Sequence, residues 1–176
     1  MKKFIILAII LIPAISIAEG LESRMLGVWG TSEYSNISYS DDNAPKDMEY
    51  KSNVGGGLSA RYPFSDGMAF AEFGFFTSSR VNSKSEFMLN GGYFVRDPYY
   101  VFAGGNYTMW GMRDNMESKP GLGFQIGAGT VITKNDSDCI FIELGFKYNK
   151  GKLEDSDYGF SSTSPFARIG LFSNIF

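Results

Sequence analysis

The chain has 176 residues, with 16 Lys and Arg against 19 Asp and Glu, one Cys and no His. That length supplies one domain, and the acidic balance leaves no basic patch to neutralise nucleic-acid phosphates. The lone Cys139 excludes an internal disulfide and a two-thiolate metal site, and the lack of His removes the usual neutral-pH base of Ser-His-Asp and Cys-His chemistry.

The N-terminus carries Lys2 and Lys3, an apolar run from Phe4 to Ile12, Pro13, and then Ser16-Ile17-Ala18. A basic start, a short greasy run and a small-x-small site predict a secretory signal peptide over residues 1–18. Removing it leaves 14 basic and 19 acidic residues, a net charge of −5. No later stretch approaches the roughly 20 apolar residues of a transmembrane helix. Residues 19–176 are therefore expected to form one domain whose strands, if any element, cross a membrane.

Turn signals divide the rest into eight strand-length segments. The first, about Ser23–Asn36, sets Leu26, Val28 and Tyr34 against Trp29, Thr31 and Glu33. The second, about Tyr50–Tyr62, sets Val54, Leu58, Ala60 and Tyr62 against Asn53, Gly55, Gly57, Ser59 and Arg61. In the third, Met68–Ser79, Ala69, Ala71, Phe73 and Phe75 oppose Glu72, Gly74 and Ser78. In the fourth, Lys84–Arg96, Phe87, Leu89, Tyr93 and Val95 oppose Glu86, Asn90, Gly92 and Arg96. The fifth, Tyr99–Met112, places Tyr99, Val101, Ala103 and Tyr107 against Gly104, Asn106 and Thr108.

The sixth and seventh, within Gly121–Tyr148, are the most regular. Leu122, Phe124, Ile126 and Ala128, then Ile140, Ile142, Leu144, Phe146 and Tyr148, alternate with Gly, Gln, Glu143, Gly145 and Lys147. Successive strand residues face opposite sides of a sheet. One face is greasy and the other carries glycine and charge, a poor soluble core but a good lipid-facing wall. The eighth segment, about Thr163–Phe176, closes the chain.

Compact turns lie at Pro63–Gly67, Arg96–Pro98 and Thr133–Asp138, rich in the residues that suit tight reversals. Polar connections near 37–49, 80–84, 113–119 and 150–162 alternate with them, and three of the four exceed ordinary hairpin loops. These features predict an all-β fold, an eight-stranded antiparallel up-and-down transmembrane β-barrel. A soluble barrel of the same size would place its apolar stripes inside. Tyr34, Tyr62, Tyr93, Tyr99, Tyr107 and Tyr148 sit near strand ends on the outward parity, as interfacial girdles do.

On the inward parity, Glu72, Glu86 and Glu143 meet Arg61, Arg96 and Lys147. In a lumen too narrow for an open channel, these six are expected to form a charge-paired network. Gly55-Gly56-Gly57 and Gly121-x-Gly123 begin no helix and are not read as phosphate loops. Inward glycines are expected to make room for long side chains. Acidic residues crowd two loops (Asp41, Asp42, Asp47 and Glu49; Glu154, Asp155 and Asp157) without calcium-loop spacing, so no metal or cofactor is expected.

The signal peptide, the segment count, the Gly-rich strands Tyr100-Val101-Phe102-Ala103-Gly104-Gly105 and Gly121-Leu122-Gly123-Phe124, and the terminal Phe176 resemble the small eight-stranded outer-membrane proteins of the OmpA transmembrane-domain and OmpX-like group. The resemblance covers residues 19–176. It implies that Phe176 acts as a signal to the barrel-assembly machinery, and that the six lumen charges correspond to interior ion pairs acting as a gate or plug. One departure stands out. Counting back from Phe176 gives Phe172 and Phe166 but also Asn174 and Arg168, while Ile169, Leu171 and Ile175 take the other parity. A bulge or a register shift in the last strand would reconcile this, and so would a partly mistaken eighth strand. No cell-wall-binding domain is expected after the barrel.

The resulting expectation is a non-enzymatic barrel of the bacterial outer membrane, reached by signal-peptide-directed export. It would support envelope integrity or surface interaction through its extracellular loops. Its expected partners are outer-membrane lipids, lipopolysaccharide and the assembly machinery, with no nucleic acid; the sequence names no surface ligand. A narrow channel or a route for small hydrophobic molecules is the alternative. A lipid-modifying enzyme comes third, disfavoured by the missing histidine.

Overall fold

The structure, a computed structural model, describes residues 24–40, 51–64, 66–78, 83–96, 98–111, 118–134, 138–153 and 159–174. Eight long strands run as β1 (Met25–Tyr39), β2 (Lys51–Phe64), β3 (Gly67–Ser78), β4 (Ser83–Arg96), β5 (Tyr99–Gly111), β7 (Gly121–Lys134), β8 (Asp138–Leu153) and β9 (Gly159–Asn174). A two-residue strand, β6 (Ser118–Lys119), pairs with the end of β8. Each long strand pairs antiparallel with its sequence neighbour, and β1 pairs with both β2 and β9, so the sheet closes into an up-and-down barrel. Closure satisfies the backbone donors and acceptors of the wall without water, as lipid requires.

The register fixes the width. A walk across the ladders from Gly27 through Ser59, Glu72, Met88, Asn106, Gly123, Asn149 and Ser162 returns to β1 at Ile37, ten residues further along. With a rise of about 3.3 Å and a strand spacing of about 4.8 Å, that offset over eight strands tilts them by about 40°. Such a barrel has an interior that side chains alone can fill.

Two or three residues separate β2 from β3, β4 from β5, and β7 from β8, all at one end, with the start of β1 and the end of β9. The longer connections lie at the other end. Burial alternates along the strands as the sequence pattern requires, with Leu58, Phe75, Leu89, Leu122, Phe124, Leu144, Phe146 and Leu171 exposed on the outer wall. Of the girdle tyrosines, Tyr34, Tyr93, Tyr99 and Tyr107 are exposed and Tyr62 and Tyr148 half-buried.

β9 needs neither a bulge nor a shift. It alternates without interruption, with Phe160, Ser162, Ser164, Phe166, Arg168 and Phe172 inside and Ala167, Ile169 and Leu171 outside. The parity that contains Phe172 is the inward one, which explains why Arg168 shares it. Phe176 and the segment 1–18 lie outside the described residues, as do the acidic residues 41–49 and 154–157.

The inner face is also more aromatic than a glycine-and-charge pattern suggests. At the short-turn end, Met25, Met68, Phe70, Tyr100, Phe102, Cys139, Phe141, Phe166 and Phe172 form a buried apolar cluster. Cys139 sits at the start of β8, its Sγ 3.4 Å from Met25 Sδ. Inward glycines make this filling possible. In seven inward pairs an aromatic ring fills the space beside the glycine it faces across a ladder: Trp29 and Gly57, Phe76 and Gly55, Tyr100 and Gly129, Phe102 and Gly127, Phe160 and Gly151, Phe166 and Gly145, Phe172 and Gly27. In each pair a Cβ built on the glycine would drive into the ring opposite. The outward Gly91, by contrast, has open space around it.

Candidate functional site: the barrel lumen

Eight ionised side chains lie buried on the inner wall, arranged as two separate four-membered rings. Nearer the short turns, Arg61 and Arg168 alternate with Glu72 and Glu143. Arg61 Nη2 reaches Glu143 at 2.7 Å and Glu72 at 3.5 Å, while Arg168 Nη1 reaches Glu72 at 2.6 Å and Glu143 at 3.2 Å. Nearer the loops, Lys84 and Lys147 alternate with Glu33 and Glu86. Lys147 Nζ lies 2.6 Å from Glu86 and 3.0 Å from Glu33, and Lys84 pairs with Glu33 and, at 3.0 Å, with Glu86.

Each ring holds two cations and two anions and is neutral. That matters because an unpaired buried ion costs several kcal/mol, whereas a ring that satisfies every charge twice offsets the loss of water. Neutral groups add hydrogen bonds to the carboxylates, while Nε of Arg61 and Nε of Arg168 have no partner among the described residues. Tyr100 donates its hydroxyl hydrogen to Glu143 Oε1 at 2.6 Å, Asn90 Nδ2 donates to Glu72 at 3.3 Å, and Gln125 Nε2 donates to Asn90 at 2.7 Å. Asn53 Nδ2 donates to Glu33 at 3.4 Å and to Ser35 Oγ at 2.9 Å.

Aromatic faces cap the cations. The Arg61 guanidinium lies 4.7, 4.4 and 4.2 Å from the ring centres of Phe70, Phe141 and Phe172. Lys84 and Lys147 share Phe76, at 4.5 and 4.4 Å. Phe166 stands between the two rings, 5.2 Å from Arg168 and 5.3 Å from Lys147. Such contacts strengthen when water is excluded. The arginine ring is thereby welded to the apolar cluster below it, and the lysine ring sits above.

No family model and no curated protein sequence matches the chain. Among solved structures it is similar to the crystal structure of Neisserial surface protein A (NspA), at 14% identity and a TM-score of 0.51, over 82% of this chain and 96% of that one. It is similar too to the N-terminal β-barrel domain of Pseudomonas aeruginosa OprF, at 17% identity and a TM-score of 0.51, over 84% of this chain and 97% of that one. The chain has the fold of the small eight-stranded outer-membrane β-barrels.

Within that barrel, the residues singled out in the sequence divide five to one. Arg61, Glu72, Glu86, Glu143 and Lys147 all reach the rings. Arg96 does not. The ladder between β4 and β5 shifts register between Phe94 and Arg96, so Val95 and Arg96 are both exposed at the short-turn end of β4. A bulge adds one residue and breaks strict alternation, which is why counting parity placed Arg96 inside.

Parity counting also left out Glu33, Lys84 and Arg168, which supply three of the eight ring positions. The signal for Glu33 was present, since it shares the face of Trp29 and Thr31. Lys84 is the second residue of β4, where a segment boundary hides its parity. Arg168 shares its parity with Phe166 and Phe172, and phenylalanine gives that face no polar signature in the sequence.

Proposed function

We propose that this chain is an integral protein of the bacterial outer membrane, non-enzymatic, serving envelope integrity and surface contact from its loop side. The observation that carries this reading is the filled lumen. Among the described residues, two neutral ion-pair rings stacked on an apolar cluster fill the inner face with paired charges and aromatic rings, so the rings carry no net charge to attract a permeating ion. Export by the segment 1–18, recognition of Phe176 by the barrel-assembly machinery, and contact with outer-membrane lipids and lipopolysaccharide belong to the same proposal. The greasy outer wall and the fold of the solved neighbours support the placement.

The deciding experiment is single-channel recording on barrel whose folding has been verified by heat-dependent gel mobility. Silent bilayers are expected. A stable conductance that changes when Glu143 is replaced by Gln would overturn this reading in favour of a narrow channel.

A further inference from the structure

Phe166 separates the two ion-pair rings on one side of the lumen. On the side formed by β4, β5, β7 and β8 the inner wall carries amides instead, the buried Asn90, Asn106, Gln125 and Asn149. From the lysine ring, Thr108 Oγ1 lies 3.4 Å from Glu86 Oε1 and 3.3 Å from Asn149 Oδ1. From the arginine ring, Glu72 accepts from Asn90, and Asn90 accepts from Gln125. Two hydrogen-bonded chains therefore approach each other, one ending at Asn149 and the other at Gln125.

Asn106 stands between them. It faces Gly123 across the β5–β7 ladder, and Gly123 faces Asn149 across the next ladder. Gln125 lies two residues from Gly123 on the same inward face. Among the described residues, neither Oδ1 nor Nδ2 of Asn106 has a hydrogen-bond partner, and nor does Oε1 of Gln125. Asn106 is only 4% exposed and Gln125 1%. Buried polar groups of folded proteins are almost always paired, with protein or with ordered water.

The glycine leaves room for such a partner. A Cβ on Gly123 would drive into the amide oxygens of both Asn106 and Asn149. Each oxygen thus lies within 2.5 Å of one point. The two are closer together than two hydrogen bonds laid end to end, about 5.5 Å.

We infer that this stretch of the inner wall is a binding site for two water molecules, held as fixed ligands that join the two chains. The first sits against Gly123 and donates its hydrogens to Asn106 Oδ1 and Asn149 Oδ1. The second accepts from Asn106 Nδ2 and donates to Gln125 Oε1, diagonal neighbours across the β5–β7 ladder. Water fits because the partnerless atoms include both a donor and acceptors, and water alone serves both. A metal cation would use the oxygens but not Nδ2. It would also stand near the ammonium of Lys147, the register partner of Gln125. The completed belt is uncharged, so each ring remains its own ion-pair unit while the amide wall between them becomes continuous.

The test is water–protein cross-relaxation by NMR on the folded barrel in detergent micelles. The Asn106 Nδ2 hydrogens are expected to show cross-peaks to water of opposite sign in laboratory-frame and rotating-frame spectra, the mark of bound water rather than of hydrogen exchange. Relaxation dispersion of the solvent signal counts the waters held inside. Asn106→Leu, apolar and of similar size, is expected to lower that count by two. Crystals soaked in thallium(I) should show no ion at Gly123. The wild-type spectra decide the matter even where N106L does not fold. Missing water cross-peaks at Asn106, or an unchanged count in folded N106L, overturns the site. A thallium(I) ion seated against Gly123 overturns water in favour of a monovalent cation.

Discussion

Glu143 on β8 and Arg168 on β9 are register partners across the ladder and an ion pair in the lumen, 3.2 Å apart. Backbone pairing and side-chain pairing thus coincide at one place, and Arg61 and Glu72 on β2 and β3 complete the ring from the adjoining wall. Removing one member should be far more damaging than replacing all four. Glu143→Ala is expected to cost about 3–5 kcal/mol because it leaves buried guanidinium charge uncompensated. Substituting Arg61, Glu72, Glu143 and Arg168 together by apolar residues of similar volume should be neutral or stabilising. Urea titration of folded barrel in lipid vesicles measures both.

The two rings share no ion pair, so they should behave as independent units. Double-mutant cycles between Arg61 and Glu143, or between Lys147 and Glu86, are expected to show coupling of about 0.5–3 kcal/mol. Cycles that cross from one ring to the other, such as Arg61 with Glu86, should be additive within about 0.5 kcal/mol. Strong coupling across the gap would show that Phe166 transmits strain between the rings.

Glycines on the two faces should respond oppositely to a side chain. At Gly127 a Cβ would lie 2.5 Å from both the Phe102 ring and the Leu144 carbonyl oxygen. Gly127→Val is therefore expected to destabilise by about 1–3 kcal/mol or more through overpacking. Gly91→Val, on the open outer wall, should be neutral or mildly stabilising, since a β-branched residue replaces the freest backbone. Refolding yield and urea midpoint distinguish the two.

A charge on the outer wall should report the membrane. Leu144 is 61% exposed near the middle of β8, and Leu144→Arg is expected to cost about 2–4 kcal/mol in a bilayer. Tyr99→Arg, at the start of β5, should cost about 1 kcal/mol or less. The exposed Arg96 offers the complementary control, because Arg96→Ala should change stability by no more than about 0.5 kcal/mol. Vesicle unfolding titrations of the three variants provide the comparison.

The strands were legible because an apolar outer wall and a polar, aromatic lumen impose opposite chemistries on alternate residues. The first five segments agree with the strands to within three residues at their ends, whereas β8 runs five residues past Tyr148 and β9 begins four residues before Thr163. What the pattern concealed has two physical causes. Parity survives only where the ladder is regular, so the bulge beyond Phe94 displaced Arg96. Residue type alone, in turn, does not reveal that a Phe faces inward, because ring and glycine make an interior surface only as a pair. Phe102 and Gly127 are 25 positions apart in sequence and become neighbours through the β5–β7 ladder. The neutral pairing of the rings was hidden for the same reason, since the arginine ring draws its members from four strands and the lysine ring from three.

The ten-residue offset of the closed ladder also limits how this barrel can change. Parity decides whether a side chain meets the outer face or the lumen, and a closed sheet has no edge at which a slip can be discarded. A single residue inserted in mid-strand must therefore bulge out of the ladder or turn every side chain beyond it inside out. Insertions of two keep the faces but alter the offset, and with it the tilt and bore of the barrel. The strand wall can be lengthened or shortened only in even steps, whereas the connections at its ends are free to change by any number.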